Sequence, residues 1–296
     1  MDSWSGIHNV VTLVRIQLGP LMKRIDSWLE AKYTGETPGP NRHDKVDRVF
    51  HASSVGKCPR QNYYKRNNET PDQWSPYFEL GIEFELIYGA ALAWHYCDLP
   101  QWQLKRLSNQ ELIRVTPQVV QDVTCTIDLG DTQITGEADW TVLEENVAEI
   151  DHVHLNEDGS RRIEYTNGGF EEYDSDEETP IKLVIETKTT KKISWRKKYG
   201  EKKEHKYQVG TYMYAFGCDG EIAYMTRNEL DEFIFEFAHD DLKEESFFKD
   251  IDLRVEMLQY HLENDELPGA DPPRDNICKY CDFKDECKEA GGKRWE

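Results

Sequence analysis

The sequence predicts an α/β (α+β) fold, a mixed sheet flanked by helices, on three observations. Periodic segments follow one another along the core as helix, strand, strand, strand, helix, strand. The strand Ile134-Thr-Gly-Glu-Ala-Asp139-Trp140 is followed, after an acidic insertion, by Ile181-Lys-Leu-Val-Ile-Glu186-Thr-Lys188, whose apolar run marks a buried strand ending in charge. The chain has 296 residues, 38% hydrophobic and 11% aromatic, enough for one large domain or one domain with appendages.

In chain order, residues 7–32 read as an amphipathic helix (Ile7, Val10, Val11, Val14, Leu18, Leu21, Ile25, Leu29) broken or kinked at Gly19-Pro20. The Gly- and Pro-containing stretch Thr34–Asn41 is a linker. A short helix is expected at 59–66, and a longer one over Tyr77–Tyr96 that turns Leu80, Phe84, Ile87 and Leu92 toward a core. Strands are expected at 112–127 and 132–143, and a hairpin within the insertion 144–180, where Asn156–Gly159 and Asn167–Gly169 signal turns. The strand 181–188 precedes a basic segment and a helix at 204–217. Strands at 221–227 and 231–238 come next, then a helix at 241–264 that ends in Leu267–Pro273.

The net charge of −21 argues at first against nucleic acid, but its distribution matters more. Residues 144–178 carry 13 acids against 2 arginines; residues 186–206 carry 9 Lys or Arg against 3 acids. In that basic run Lys191, Lys192, Lys197 and Lys198 are interleaved with Trp195 and Tyr199, a pattern suited to phosphates and base stacking as well as to a solvated loop. No apolar run approaches the ~18 residues of a membrane span. No signal-peptide pattern is visible and the seven cysteines are odd in number, so an intracellular, cytoplasmic setting is expected rather than a disulfide framework.

Asp139, Glu186 and Lys188 carry the chemistry. Alternate strand residues share a face, so the three can meet at one sheet edge, where two carboxylates hold a divalent metal and the lysine steers water. Glu-x-Lys also occurs on solvated strand faces, where it does nothing. Cys278-x2-Cys281-x5-Cys287 in a polar segment suits a metal or cluster site, which needs a fourth thiolate; Cys58 is the natural candidate. Zinc and an iron–sulfur cluster are not separated by this spacing. Cys97, Cys125 and Cys218 lie in apolar patterns and read as small core residues.

Together these motifs resemble the PD-(D/E)XK nucleases, and more closely their RecB-like branch with an iron–sulfur cluster, which includes the CRISPR-associated exonucleases. Cys58-Pro-Arg with Tyr63-Tyr64 resembles the branch's first cysteine motif, Gly136-x-x-Asp139 and Glu186-x-Lys188 its metal strands, and Gln208-x-x-x-Tyr212 its helix motif. The resemblance runs from about residue 51 to 288 and implies a restriction-endonuclease-like core. It divides the chain into an N-terminal extension (1–45), a first cysteine motif (46–76), a nuclease core (77–240) and a C-terminal helix with the cysteine segment (241–296). The family's histidine, four residues after a glycine in the first core helix, is replaced here by Glu85 after Gly81; Glu83 would face elsewhere.

What the resemblance implies is a metal-dependent DNA nuclease, an exonuclease on single-stranded DNA. Glu85, Asp139, Glu186 and the Thr187 carbonyl would hold Mg²⁺ or Mn²⁺. Lys188 would handle a water, its pKa depressed by burial and metal charge. Gln208 and Tyr212 would contact substrate or position groups near the metal. Cys58, Cys278, Cys281 and Cys287 would bind a 4Fe-4S cluster, zinc being the alternative. The competing class is a non-catalytic iron–sulfur DNA-binding or assembly subunit, supported by Glu85 at the histidine position. A homo-oligomer, a CRISPR or recombination partner and a viral origin are left open.

Overall fold

The computed structural model describes residues 48–67, 76–97, 99–144, 147–226, 231–272 and 277–291. Strand β1 (Val49–His51) runs into helices α1 (Ala52–Val55) and α2 (Pro59–Asn67). Helix α3 (Pro76–Tyr96) follows, then the short α4 (Gln101–Leu104) and α5 (Asn109–Arg114). Strands β2 (Val119–Leu129) and β3 (Thr132–Leu143) form a long hairpin, and β4 (Ile150–Leu155), β5 (Arg161–Tyr165) and β6 (Phe170–Tyr173) fill the acidic insertion. Strand β7 (Ile181–Thr190) leads through α6 (Ile193–Tyr199) and α7 (Lys203–Phe216) to β8 (Asp219–Thr226) and β9 (Glu232–Phe237). Helices α8 (His239–Glu244) and α9 (Phe247–Glu263), a 3₁₀ turn at Ile277–Tyr280 and α10 (Lys284–Glu289) follow.

The nine strands form one mixed sheet in the order β6-β5-β4-β2-β3-β7-β8-β9, with β1 beside β3. The β1–β3, β2–β4 and β7–β8 pairs are parallel and the others antiparallel. Alternation along β7 shows how both faces are covered. Leu183 and Ile185 pack with Phe84, Tyr88 and Leu92 of α3, whereas Val184 packs in the larger cluster with Val209, Tyr212 and Phe216 of α7. Each face therefore buries its own apolar stripe, and burial falls off only at Lys182 and beyond Glu186. The expected α/β class, a mixed sheet between helices, is what the chain adopts.

Several elements differ from expectation. Residues 112–114, expected to open a strand, instead end helix α5, which the capping box of Ser108 and Glu111 nucleates, and the strand starts at Val119. The insertion holds three strands, not one hairpin, and widens the sheet. The basic segment contains α6, and the 241–264 helix is two helices, separated at Ser246, whose φ is 57°. Cys125 and Cys218 are buried, as their patterns suggested, while Cys97 is half-buried beside α5. The expected helix at 7–32, the linker and the side chains of Leu80 and Glu83 lie outside the described residues. Among the described residues no helix is long and apolar enough to cross a membrane.

Candidate active site and cysteine junction

The centre lies where one edge of β3 changes partner. Its first residues, Gln133–Thr135, pair with β1, and its last, Trp140–Leu143, pair with β7. No described strand pairs with Gly136–Asp139 on that edge, and the Asp139 carboxylate fills the gap. Its Oδ2 accepts from the Thr187 backbone N–H at 2.6 Å and from the Thr187 hydroxyl at 2.7 Å. Gly136 is required nearby for a steric reason. A Cβ there would stand 2.6 Å from the Tyr212 ring and 2.8 Å from Ala52, so any side chain would push α7 and α1 off the strand.

Glu186 follows at the point where β7 leaves β3. It is 1% exposed, and its Oε2 is buried without a hydrogen-bond partner. Its other oxygen accepts from the Lys188 ammonium, two residues along the same strand face. Burial pushes the Glu186 carboxyl up to about 8; the attraction of Lys188 opposes this, and the nearby Asp139 charge reinforces it. For Lys188 the protein's own groups pull in both directions, apart from the metal charge that the expected depression also invoked. Burial alone lowers its pKa, but Glu186 and Asp139 outweigh burial and hold it above the ordinary lysine value.

Glu85 reaches this centre from α3. The helix is pinned by Trp140, a fully buried residue of β3 whose indole N–H donates to the Glu85 carbonyl at 3.1 Å. Gly89 makes room for that indole, since a Cβ there would lie 2.0 Å from the Trp140 ring. The Glu85 carboxylate accepts from Gln121 Nε2 at 3.0 Å, and burial, then Asp139, push its pKa up to about 7.

Asp122 is a fourth carboxylate that the sequence reading missed. Its backbone is left-handed (φ 58°) where the β2–β3 pairing skips from Gln121 to Val123 opposite Asp139. Burial, then Glu137 and Asp139, raise it to about 6. The signal available was Gln121-Asp122 interrupting an otherwise apolar alternation.

Gln208 and Tyr212 share a face of α7, joined by a Gln208 Nε2 to Tyr212 hydroxyl bond of 3.1 Å. The Tyr212 ring is core, 2% exposed. Its hydroxyl lies within the field of Glu186 and Asp139, and burial, then Glu186, lift its pKa well above the usual tyrosine value. Helix α6 begins three residues after the end of β7. Ile193 and Arg196 are buried, while Trp195 (49%) and Tyr199 (62%) stand exposed. The Lys192 ammonium lies 5.8 Å from the Trp195 ring centre, Lys198 lies 5.0 Å from Tyr199, and Lys197 lies 5.4 Å from Phe233. Lys191 is exposed at the mouth of the same turn.

The two cysteine segments, more than two hundred residues apart in sequence, meet. Tyr64 stacks on Phe283 at 5.4 Å and its hydroxyl donates to the Glu286 carbonyl at 3.3 Å. Arg60 donates to the Pro268 carbonyl at 2.9 Å and to Cys287 Sγ at 3.6 Å. Burial raises the Cys281 thiol, and the nearby Cys58, Asp282 and Cys278 raise it further. None of the four cysteines is in a disulfide, and all are half-buried.

The donor chemistry at both places fits a metal. The first offers hard oxygens, one of them buried with nothing to bind; the second offers four sulfurs, one facing a guanidinium. Among the described residues no three His, Cys, Asp or Glu side chains already converge tightly enough to chelate an ion. Glu186 and Asp139 are instead turned toward Lys188 and Thr187.

No family model matches the chain, and no curated relative does. Among solved structures, the chain is similar to the protein designated SSO0001, with 19% identity, TM-score 0.40, and 89% of this chain and 91% of that one covered. It is also similar to an alkaline exonuclease from Laribacter hongkongensis, with 13% identity, TM-score 0.32, and coverage of 74% and 91%.

Proposed function

We propose that the chain is a metal-dependent deoxyribonuclease of the RecB-like PD-(D/E)XK type. It would hydrolyse phosphodiester bonds of single-stranded DNA from an end, in DNA processing, recombination or CRISPR adaptation. One observation carries the reading: Glu85, Asp139 and Glu186 gather at a break in strand pairing, two of them too buried to stay ionised unaided, with a single lysine among them.

Glu85, Asp139, Glu186 and the Thr187 carbonyl would hold Mg²⁺ or Mn²⁺, which supplies Lewis acidity at the phosphate and a water of lowered pKa. Lys188, kept charged by its carboxylate neighbours, orients that water and donates hydrogen bonds to the phosphate. Thr187 fixes the Asp139 carboxylate from the side. Gln208 and Tyr212 position groups at the floor of the site. Lys191, Lys192, Lys197 and Lys198 track the strand backbone, with Trp195 as a stacking surface. A 4Fe-4S cluster on Cys58, Cys278, Cys281 and Cys287 would clamp the chain's two cysteine segments; zinc in the same place is the alternative.

The test is cleavage of end-labelled single-stranded DNA by anaerobically purified protein in Mn²⁺, Mg²⁺ or EDTA. Cleavage lost in EDTA supports the reading, and the product ladder gives polarity. Bound but uncut DNA, with the cluster present by its absorbance near ~400 nm, would establish the non-catalytic subunit instead.

A further inference from the structure

Helix α9 carries two apolar faces. Phe248, Ile251, Val255 and Leu258 are buried against the body of the protein. Leu253 (51% exposed), Met257 (41%) and Tyr260 (55%) form a second stripe, at spacings of four and three residues that set them on one side of the helix. A surface helix needs only one apolar stripe, and three large apolar side chains aligned in water call for a cover.

We propose that the cover is this chain's own N-terminal amphipathic segment, residues 7–32. Three observations select it over other occupants. The first described residue, Arg48, pairs with Glu263 at 3.3 Å, so the described chain begins beside the C-terminal end of α9. Residues 33–47 span at most ~50 Å when extended. The stripe lies within ~15 Å of Glu263 along the helix, so reach does not limit docking.

The second observation is pattern. After the Gly19-Pro20 break, Leu21, Ile25 and Leu29 recur at four-residue steps, a match for the stripe in length and spacing. The third is charge. Residues 7–32 carry four basic and two acidic side chains, whereas α9 carries four acidic and two basic, with Glu256 exposed beside the stripe. Docked there, the segment braces α9, which itself packs on α2 and α7. The inference stands whether or not the chain is a nuclease.

The experiment uses the full chain with a benzophenone amino acid replacing Tyr260, irradiated and then digested. The expected product is a cross-link to a peptide from residues 7–32 at monomer mass. A cross-link at dimer mass makes a second copy the occupant, and no cross-link leaves the stripe bare; either overturns the proposal.

Hydrogen exchange on Met257→Glu and, from the other side, Ile25→Glu provides the companion readout. Each should speed exchange of the 7–32 amides by about tenfold while β3 and β7 stay protected. Unchanged exchange of residues 7–32 in both variants contradicts docking.

Discussion

The carboxylate centre and the cysteine junction are built by opposite means. Glu186 and Asp139 sit on central strands whose register is fixed by apolar packing on both faces, and Trp140 and Gly89 lock α3 at the same depth. The fold alone sets these positions, with Glu186 and Asp139 turned toward Lys188 and Thr187, and burial raises the Glu186 and Glu85 carboxyls there. The junction instead joins α2 to a 3₁₀ turn and to α10, which buries none of its own residues and is anchored by the buried Phe283 just before it. Its thiols are half-exposed, so a bound group would add most of its stability. One site would therefore use a metal for chemistry, and the other for cohesion.

A large effect is expected at the first site from Lys188→Ala. Cleavage should slow by about 100- to 1000-fold, as the proposed role of the lysine at the phosphate requires, while Tm falls by only a few degrees from leaving the buried Glu186 carboxyl without its ammonium partner. Single-turnover kinetics beside a melting curve check both halves. At the second site, Cys281→Ser should reverse the pattern. Visible absorbance should be lost and limited proteolysis should cut between residues 264 and 284, with cleavage reduced only about tenfold. Equal loss of catalysis in the two variants would abolish the distinction drawn here.

Trp195→Ala addresses one of the two exposed aromatics of α6. Binding of single-stranded DNA should weaken by about 5- to 50-fold, the cost of one lost stacking surface, with the single-turnover rate at saturating DNA unchanged. Fluorescence anisotropy reads the first and quench-flow the second.

The smallest effect is on pH dependence. Glu85 and Glu186 are raised to about 7 and about 8 in the folded protein, above the ordinary carboxylate value, so the folded state holds protons that the unfolded chain releases. In EDTA, stability should thus fall as pH rises from about 5 through about 8, by a few degrees in Tm. Mn²⁺ should restore stability most at the alkaline end, and Glu186→Gln should flatten the EDTA curve. A flat wild-type curve would remove the case for a charge-strained centre.

Much of this was legible in the sequence because periodicity reports burial directly. The apolar run before Glu186 marked the buried strand, whereas the steric need for Gly136, set by Tyr212 and Ala52, shows only in the structure. What was not legible depends on tertiary pairing. Asp122 becomes part of the centre only because a left-handed residue sits opposite Asp139, and Gln121 meets Glu85 only once α3 is laid across β2. The balance at Lys188 rests on the same pairing: burial could be foreseen, but not that Glu186 and Asp139 would both stand close enough to oppose it. Helix α5 was misread because β-branched and apolar residues at 112–116 hid the Ser108–Glu111 capping box.

The most direct test of the account is the cleavage rate of Asp139→Ala on end-labelled single-stranded DNA at saturating Mn²⁺. Loss of activity by about 1000-fold or more, with native exchange protection across β3 and β7, is the predicted result. Metal-dependent cleavage that persists in this variant at the wild-type rate would contradict the assignment of the centre.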